Sequence, residues 1–142
     1  MVYEVLHNKD DNEPIKIVEV IRDEVTLPRM DGTKDCSLYK IPFRLSRRPS
    51  ELWIKIFLQK WEMPSCFTSM HRPEIASVYD DKIILDGTTK EEVEKYHKAT
   101  LELCISETNE EEKKIIDIEQ RKRKKAEEEA EKFRNMVAEI KF

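Results

Sequence analysis

Between Glu51 and Glu62 the chain reads ELWIKIFLQKWE, and its clearest polar positions are Glu51, Lys55, Gln59 and Glu62. Steps of four, four and three residues place them on one narrow stripe of a helix, and apolar side chains fill almost everything else. A surface helix ordinarily carries an apolar face a little over about 100° wide. This one is apolar over far more, so the pattern predicts a helix that a sheet on one side does not cover alone. Ser46 as a cap, Pro49 in the first turn and Glu51 near the positive end supply start signals.

Upstream the period shortens to that of strands. VYEVLHN (2–8) alternates briefly, and IKIVEVIRDEVTL (15–27) is rich in β-branched residues. A turn over 28–35 follows, with Gly32 at its tip. SLYKIPFRL (37–45) reads as the next strand, where Pro42 argues for an edge position or a bulge. Downstream of the Trp53 helix, IASVYDDKIILDG (75–87) predicts a hairpin around Asp80–Asp81, closed by Gly87. Residues 88–109 form a helical pattern that opens with Thr88 and Thr89, three residues before Glu91 and Glu92 in capping-box spacing. Its inner face is Val93, His97, Thr100, Leu101, Cys104 and Ile105.

The order is therefore β-β-β-α-β-β-α, an α+β two-layer sandwich with a mainly antiparallel sheet and a long C-terminal helix. From 38 to 109 the βαββα order is also that of ferredoxin-like sandwiches, by analogy of order alone. Two units are expected: a globular domain over 1–109 and a charged helical extension over 110–142. In the extension, Ala126, Ala130, Phe133, Val137 and Ile140 step by four, three, four and three, a short heptad seam. Trp53, Phe57 and Trp61 on the over-apolar helix, together with this seam, are the candidate interface. Each surface lacks a partner that local sequence supplies, in cis or across a dimer.

Charge changes the picture only locally. The formal net charge is −4, which gives no global attraction to nucleic acid. Between Cys36 and Arg72, however, seven Lys/Arg stand against two Glu, whereas 75–108 carries four Lys against eight Asp/Glu. A basic end and an acidic end follow. Arg44, Arg47, Arg48, His71 and Arg72 are the candidate anion or nucleic-acid site, provided the loop before Ile75 brings the last two to the first three. The run Arg121–Lys125 is followed by four glutamates within six residues. Five successive basic residues encircle a helix, so this run reads as solvated rather than as a nucleic-acid stripe.

Catalysis ranks last. Cys66 and His71 lie five apart in one loop with no third group to orient them, which makes a cysteine-dependent enzyme a remote alternative. Cys36, Cys66 and Cys104 form no C-x-x-C pair, the histidines are scattered, and two glycines exclude a glycine-rich phosphate loop. No catalytic residue, metal or cofactor is expected. No run approaches a membrane span, and the N-terminus lacks a leader pattern, so the expected setting is soluble and cytoplasmic. The expected function is a non-enzymatic protein-interaction or self-association module, a dimer or the partner of another protein. A nucleic-acid-binding adaptor through the basic patch at 40–72 is second.

Overall fold

The computed structural model of the chain describes residues 13–34 and 36–142. The elements are β1 (Ile17–Val20), a 3-10 turn at Arg22–Glu24, β2 (Tyr39–Leu45), α1 (Glu51–Glu62), β3 (Ala76–Tyr79) and β4 (Lys82–Thr88). There follow α2 (Lys90–Glu92), a π-helical turn over Val93–His97, and α3 (Lys98–Val137). The strand expected over 2–8 lies outside the described residues. The chain divides into two units, the first ending at Asn109 and the second running Glu110–Phe142. No helix among the described residues is long and apolar enough to cross a membrane.

The first unit carries one four-stranded sheet in the order β1-β2-β4-β3, every neighbouring pair antiparallel. β2 and β3 therefore run the same way with β4 between them, and α1 carries the crossover. This is the α+β class that the periodicities predict. Alternation sets the two faces. Ile41, Phe43 and Leu45 of β2 and Ile83 and Leu85 of β4 are buried, while Asp86, Ser77 and Tyr79 face solvent.

Pro42 lies in a strand paired on both sides, not at an edge. Its carbonyl accepts from the Ile21 amide at 3.0 Å, on the side of β1. A strand residue's N–H and C=O point to the same neighbour, so the donor that proline lacks faces the point where β1 has already ended at Val20. The constraint is satisfied locally by a short neighbour. The hairpin forms as expected, with Asp80 at φ 55, a left-handed conformation that aspartate tolerates. Gly87 sits at φ 120 where the β2–β4 register slips, a bulge that a side chain would strain.

Helix starts differ in detail from expectation. Ser50, not Ser46, caps α1, accepting from the Trp53 amide at 3.0 Å, and Pro49 precedes the cap. The Ser46 hydroxyl instead accepts from the Lys16 amide at 3.1 Å. Thr89 caps α2 through the Glu92 amide at 3.2 Å, but the Glu92 carboxylate turns away, so only half of the capping box forms.

Glu51, Lys55, Gln59 and Glu62 are all exposed, as the stripe requires, and Trp53, Phe57 and Trp61 are 0%, 0% and 1% exposed. The extra cover that α1 needs comes from the first turns of α3. Leu101, Cys104 and Ile105 join the same core cluster as the three aromatics and the inner face of the sheet. Trp53 and Phe57 stack at 5.2 Å between ring centres. α3 shows no break at Asn109. That side chain is a latch: its Oδ1 accepts from Trp53 Nε1 at 2.8 Å and from the Ile15 amide at 3.2 Å, and its Nδ2 donates to the Ile15 carbonyl at 2.9 Å.

Candidate functional site

The five residues expected at an anion site fall into two groups. β2 carries Arg44 to the end of the sheet where the β3–β4 turn stands. There its guanidinium reaches Glu19 at 3.3 Å and Asp81 at 3.1 Å. Arg48 meets Asp80 at 3.5 Å, and Arg47 Nε donates to the Glu13 carbonyl at 3.1 Å. Arg72 belongs to the other end. Its guanidinium grips Glu92 with two bonds at 3.0 and 3.1 Å. Arg44 lies opposite Lys82, whereas Thr88, four residues before Glu92, lies opposite Tyr39. That span of strand is about 20 Å at 3.3 Å per residue. The crossover loop does not close it. The carboxylate partners lie far off in sequence; the one signal that could have found them is the hairpin reading, which already places Asp80–Asp81 at a strand end.

His71 and Arg72 instead complete a polar cluster between the end of α1 and the π turn. His71 Nε2 stands 2.6 Å from the Trp61 carbonyl oxygen, and its ring lies 4.6 Å from that of Trp61. Trp61 Nε1 donates to the Arg72 carbonyl at 3.0 Å. Glu92 also accepts from the Thr88 hydroxyl at 3.3 Å. His97, at the end of the π turn, is 0% exposed and stands 3.5 Å from Glu92 Oε1 through Nε2. That distance is too long for a hydrogen bond, so neither ring nitrogen is satisfied and the contact is electrostatic. Among the described residues no group of three or more His, Cys, Asp or Glu is placed to hold a metal.

Burial lowers the His97 pKa below its ordinary 6.5, and Glu92 offsets this only in part. Burial alone would raise the Glu92 carboxyl, but the hydrogen bonds and charge of Arg72, then His97, hold it below the ordinary 4.5. A depressed histidine pKa has a definite consequence. Below pH 6.5 the unfolded imidazole takes up a proton that the folded one refuses. Stability is thus fully present above that pH and falls as pH drops through the lower folded value. The thermal midpoint of the protein is expected to fall between roughly pH 7.5 and 5.5, and His97→Gln to flatten that dependence. An unchanged slope in the variant would assign the effect to other groups.

The cluster is closed to solvent at His97, and through Glu92 it joins the π turn to Thr88 of β4 and to the loop that carries Arg72. Cys104 is fully buried and its thiol is pushed up to about 11, by burial first and then by Glu107. Cys66 is exposed in the loop after α1 beside Met63 and Phe67, which are 75% and 60% exposed.

Among the described residues, two apolar surfaces stand out. The first is a groove of about 580 Å³ between the β1 edge and α3, with Ile15, Val20 and Phe43 on the sheet side and Val93, Leu101 and Ile105 on the helix side. Lys16, Glu19, Lys98 and Glu102 also line it, and all four are exposed. A second hollow of about 440 Å³ shares Val20, Phe43 and Val93 with it. The groove exists because β1 is a four-residue edge strand.

The second surface belongs to the Glu110–Phe142 unit. Phe133, Val137 and Ile140 are 62%, 45% and 63% exposed; Ala126 is exposed and Ala130 half-buried. Met136, 58% exposed, joins them and was missed by a strict seam, although it stands three residues after Phe133. The spacing i, i+3, i+4 puts Phe133, Met136 and Val137 on one helical face, whereas Ile140, expected on the same seam, lies in the turn beyond the end of α3 at Val137. Trp53, Phe57 and Trp61, the other half of the expected interface, are core side chains of the first unit. Comparison of the chain with protein-family models, with curated proteins and with solved structures gives no match in any of the three.

Proposed function

We propose that this protein is a self-associating interaction module that works through the apolar face of its C-terminal helix. The observation that carries this reading is the patch of Phe133, Met136 and Val137 on an otherwise charged helix, with Ile140 in the turn that follows it, each 45–63% exposed. Burying side chains of this kind stabilises by about 1.5–3 kcal/mol each before ordering costs are subtracted. Four of them on each of two copies suffice for an interface. The basic residues offer less, because Arg44, Arg48 and Arg72 already face carboxylates.

Phe133→Asp with Val137→Asp is expected to convert an oligomer of full-length protein to monomer in light scattering, with the first unit still folded by near-ultraviolet circular dichroism. A wild-type protein that stays monomeric up to high micromolar concentration, or an oligomer indifferent to both substitutions, would sink the reading.

A further inference from the structure

The groove beside β1 is bordered by an open strand edge. In the order β1-β2-β4-β3, β1 pairs with β2 alone among the described residues. The Lys16 carbonyl and the Ile21 amide turn toward β2, bonding Ser46 and Pro42 at 2.8 and 3.0 Å. Backbone groups alternate along a strand, and the bulge between Ile17 and Glu19 takes up one residue. The backbone groups of Ile17 and Val20 therefore turn to the open edge. Their side chains lie opposite Leu45 and Phe43, on the inner face of the sheet. Val20 is nevertheless 48% exposed, so the described residues leave half of an inner-face side chain uncovered. An added strand would satisfy the edge and cover Val20 together.

We infer that the groove is the seat of the chain's own residues 2–8, VYEVLHN, added as a fifth strand antiparallel to β1. Position argues for this occupant. The chain just upstream of β1 is held at one end of the groove, where Ile15 exchanges two bonds with Asn109 and the Glu13 carbonyl accepts from Arg47 at 3.1 Å. Reach argues for it as well. The polar connection KDDNE (9–13) has a length and composition that reverse a chain between antiparallel strands. The β1 wall from Ile15 to Val20 and the α3 wall from Lys98 to Asn109 are each about 17 Å long, and seven extended residues span about 20 Å. The pattern selects the face. Tyr3, Val5 and His7 alternate on one side, whereas the other side carries Glu4 at its centre, a charge that an apolar groove would leave unpaired. Val5 then covers Val20, and Tyr3 runs on toward the second hollow, beside Val25 and Ile41. A tether this short holds the segment at an effective concentration on the order of millimolar, which a strand from another molecule must outcompete. The edge so covered offers no template for strand pairing between copies.

Hydrogen exchange of the full-length protein, read by mass spectrometry on the peptide covering residues 2–8, tests this. In wild type that peptide is expected to exchange at least about tenfold more slowly than the same synthetic peptide free in solution, at every protein concentration. Val20→Lys in the groove wall should return it to the free rate, and so should Tyr3→Asp with Val5→Asp in the segment. Glu4→Lys should leave it protected. Unchanged protection of the β4 amides shows that each variant keeps its fold, as expected for Val20, whose side chain is half exposed. Exchange at the free rate in wild type overturns the inference. Protection that survives Val20→Lys overturns it too, because the segment then lies elsewhere. So does protection that appears only as concentration rises, which makes the occupant a second copy.

Discussion

Trp53→Ala is expected to lower the unfolding free energy of the protein by about 3–5 kcal/mol, the range for removing a large aromatic from a core. Trp53 is 0% exposed, stacks on Phe57 at 5.2 Å and donates to Asn109 at 2.8 Å. The substitution removes packing on α1 and one bond of the Asn109 latch together. Since a small domain has only about 5–15 kcal/mol in all, the alanine variant stands near unfolding. Trp53→Phe separates the two effects. It keeps most of the ring volume and deletes the donor, and a loss of about 1–2 kcal/mol is expected from that bond alone. Urea unfolding followed by circular dichroism measures both. A loss below about 1 kcal/mol for Trp53→Ala would show that the α1 aromatics are not the core.

Glu92→Ala is expected to cost about 3 kcal/mol, at the lower end of the range for breaking a buried ion pair. The discount reflects side-chain exposures of 28% for Arg72 and 16% for Glu92, which let water screen part of the charge. The carboxylate holds Arg72 by two bonds, takes the Thr88 hydroxyl and lies beside the unsatisfied ring of His97. Its removal takes from Arg72 the carboxylate that both of these bonds reach, and from Thr88 an acceptor. The double-mutant cycle with Arg72→Ala isolates the pair, and coupling under about 0.5 kcal/mol would reduce it to a solvated contact.

How much of this was legible follows from the range of each interaction. The polar stripe on α1, the hairpin about Asp80–Asp81 and the inner face of α3 were readable because each is set by neighbours within about four residues. Phe133 and Val137 do share an exposed face of α3, but the helix ends at Val137 and Ile140 lies past it, a stop that the periodicity did not mark. Ser46 against Ser50 is the opposite case. Both hydroxyls precede the helix, and the choice fell to Ser50 because Ser46 is taken by the amide of Lys16, just before β1 and thirty residues upstream. The return half of the capping box is lost likewise, since Arg72 outbids the local amide for the Glu92 carboxylate with two charge-assisted bonds.

The sequence by itself determined the element types, the α+β class and the excess apolar surface of α1, because periodicity and side-chain volume are properties of the chain alone. Tertiary structure decided what covers that surface. It set Leu101, Cys104 and Ile105 against Trp53, Phe57 and Trp61, made a latch of Asn109, and sent Arg44 and Arg72 to opposite ends of the sheet. These outcomes depend on which strands become neighbours. The order β1-β2-β4-β3 brings together residues as far apart as Ile15 and Asn109. No local pattern encodes that pairing, because its free energy arises only when the layers close and water leaves the space between them.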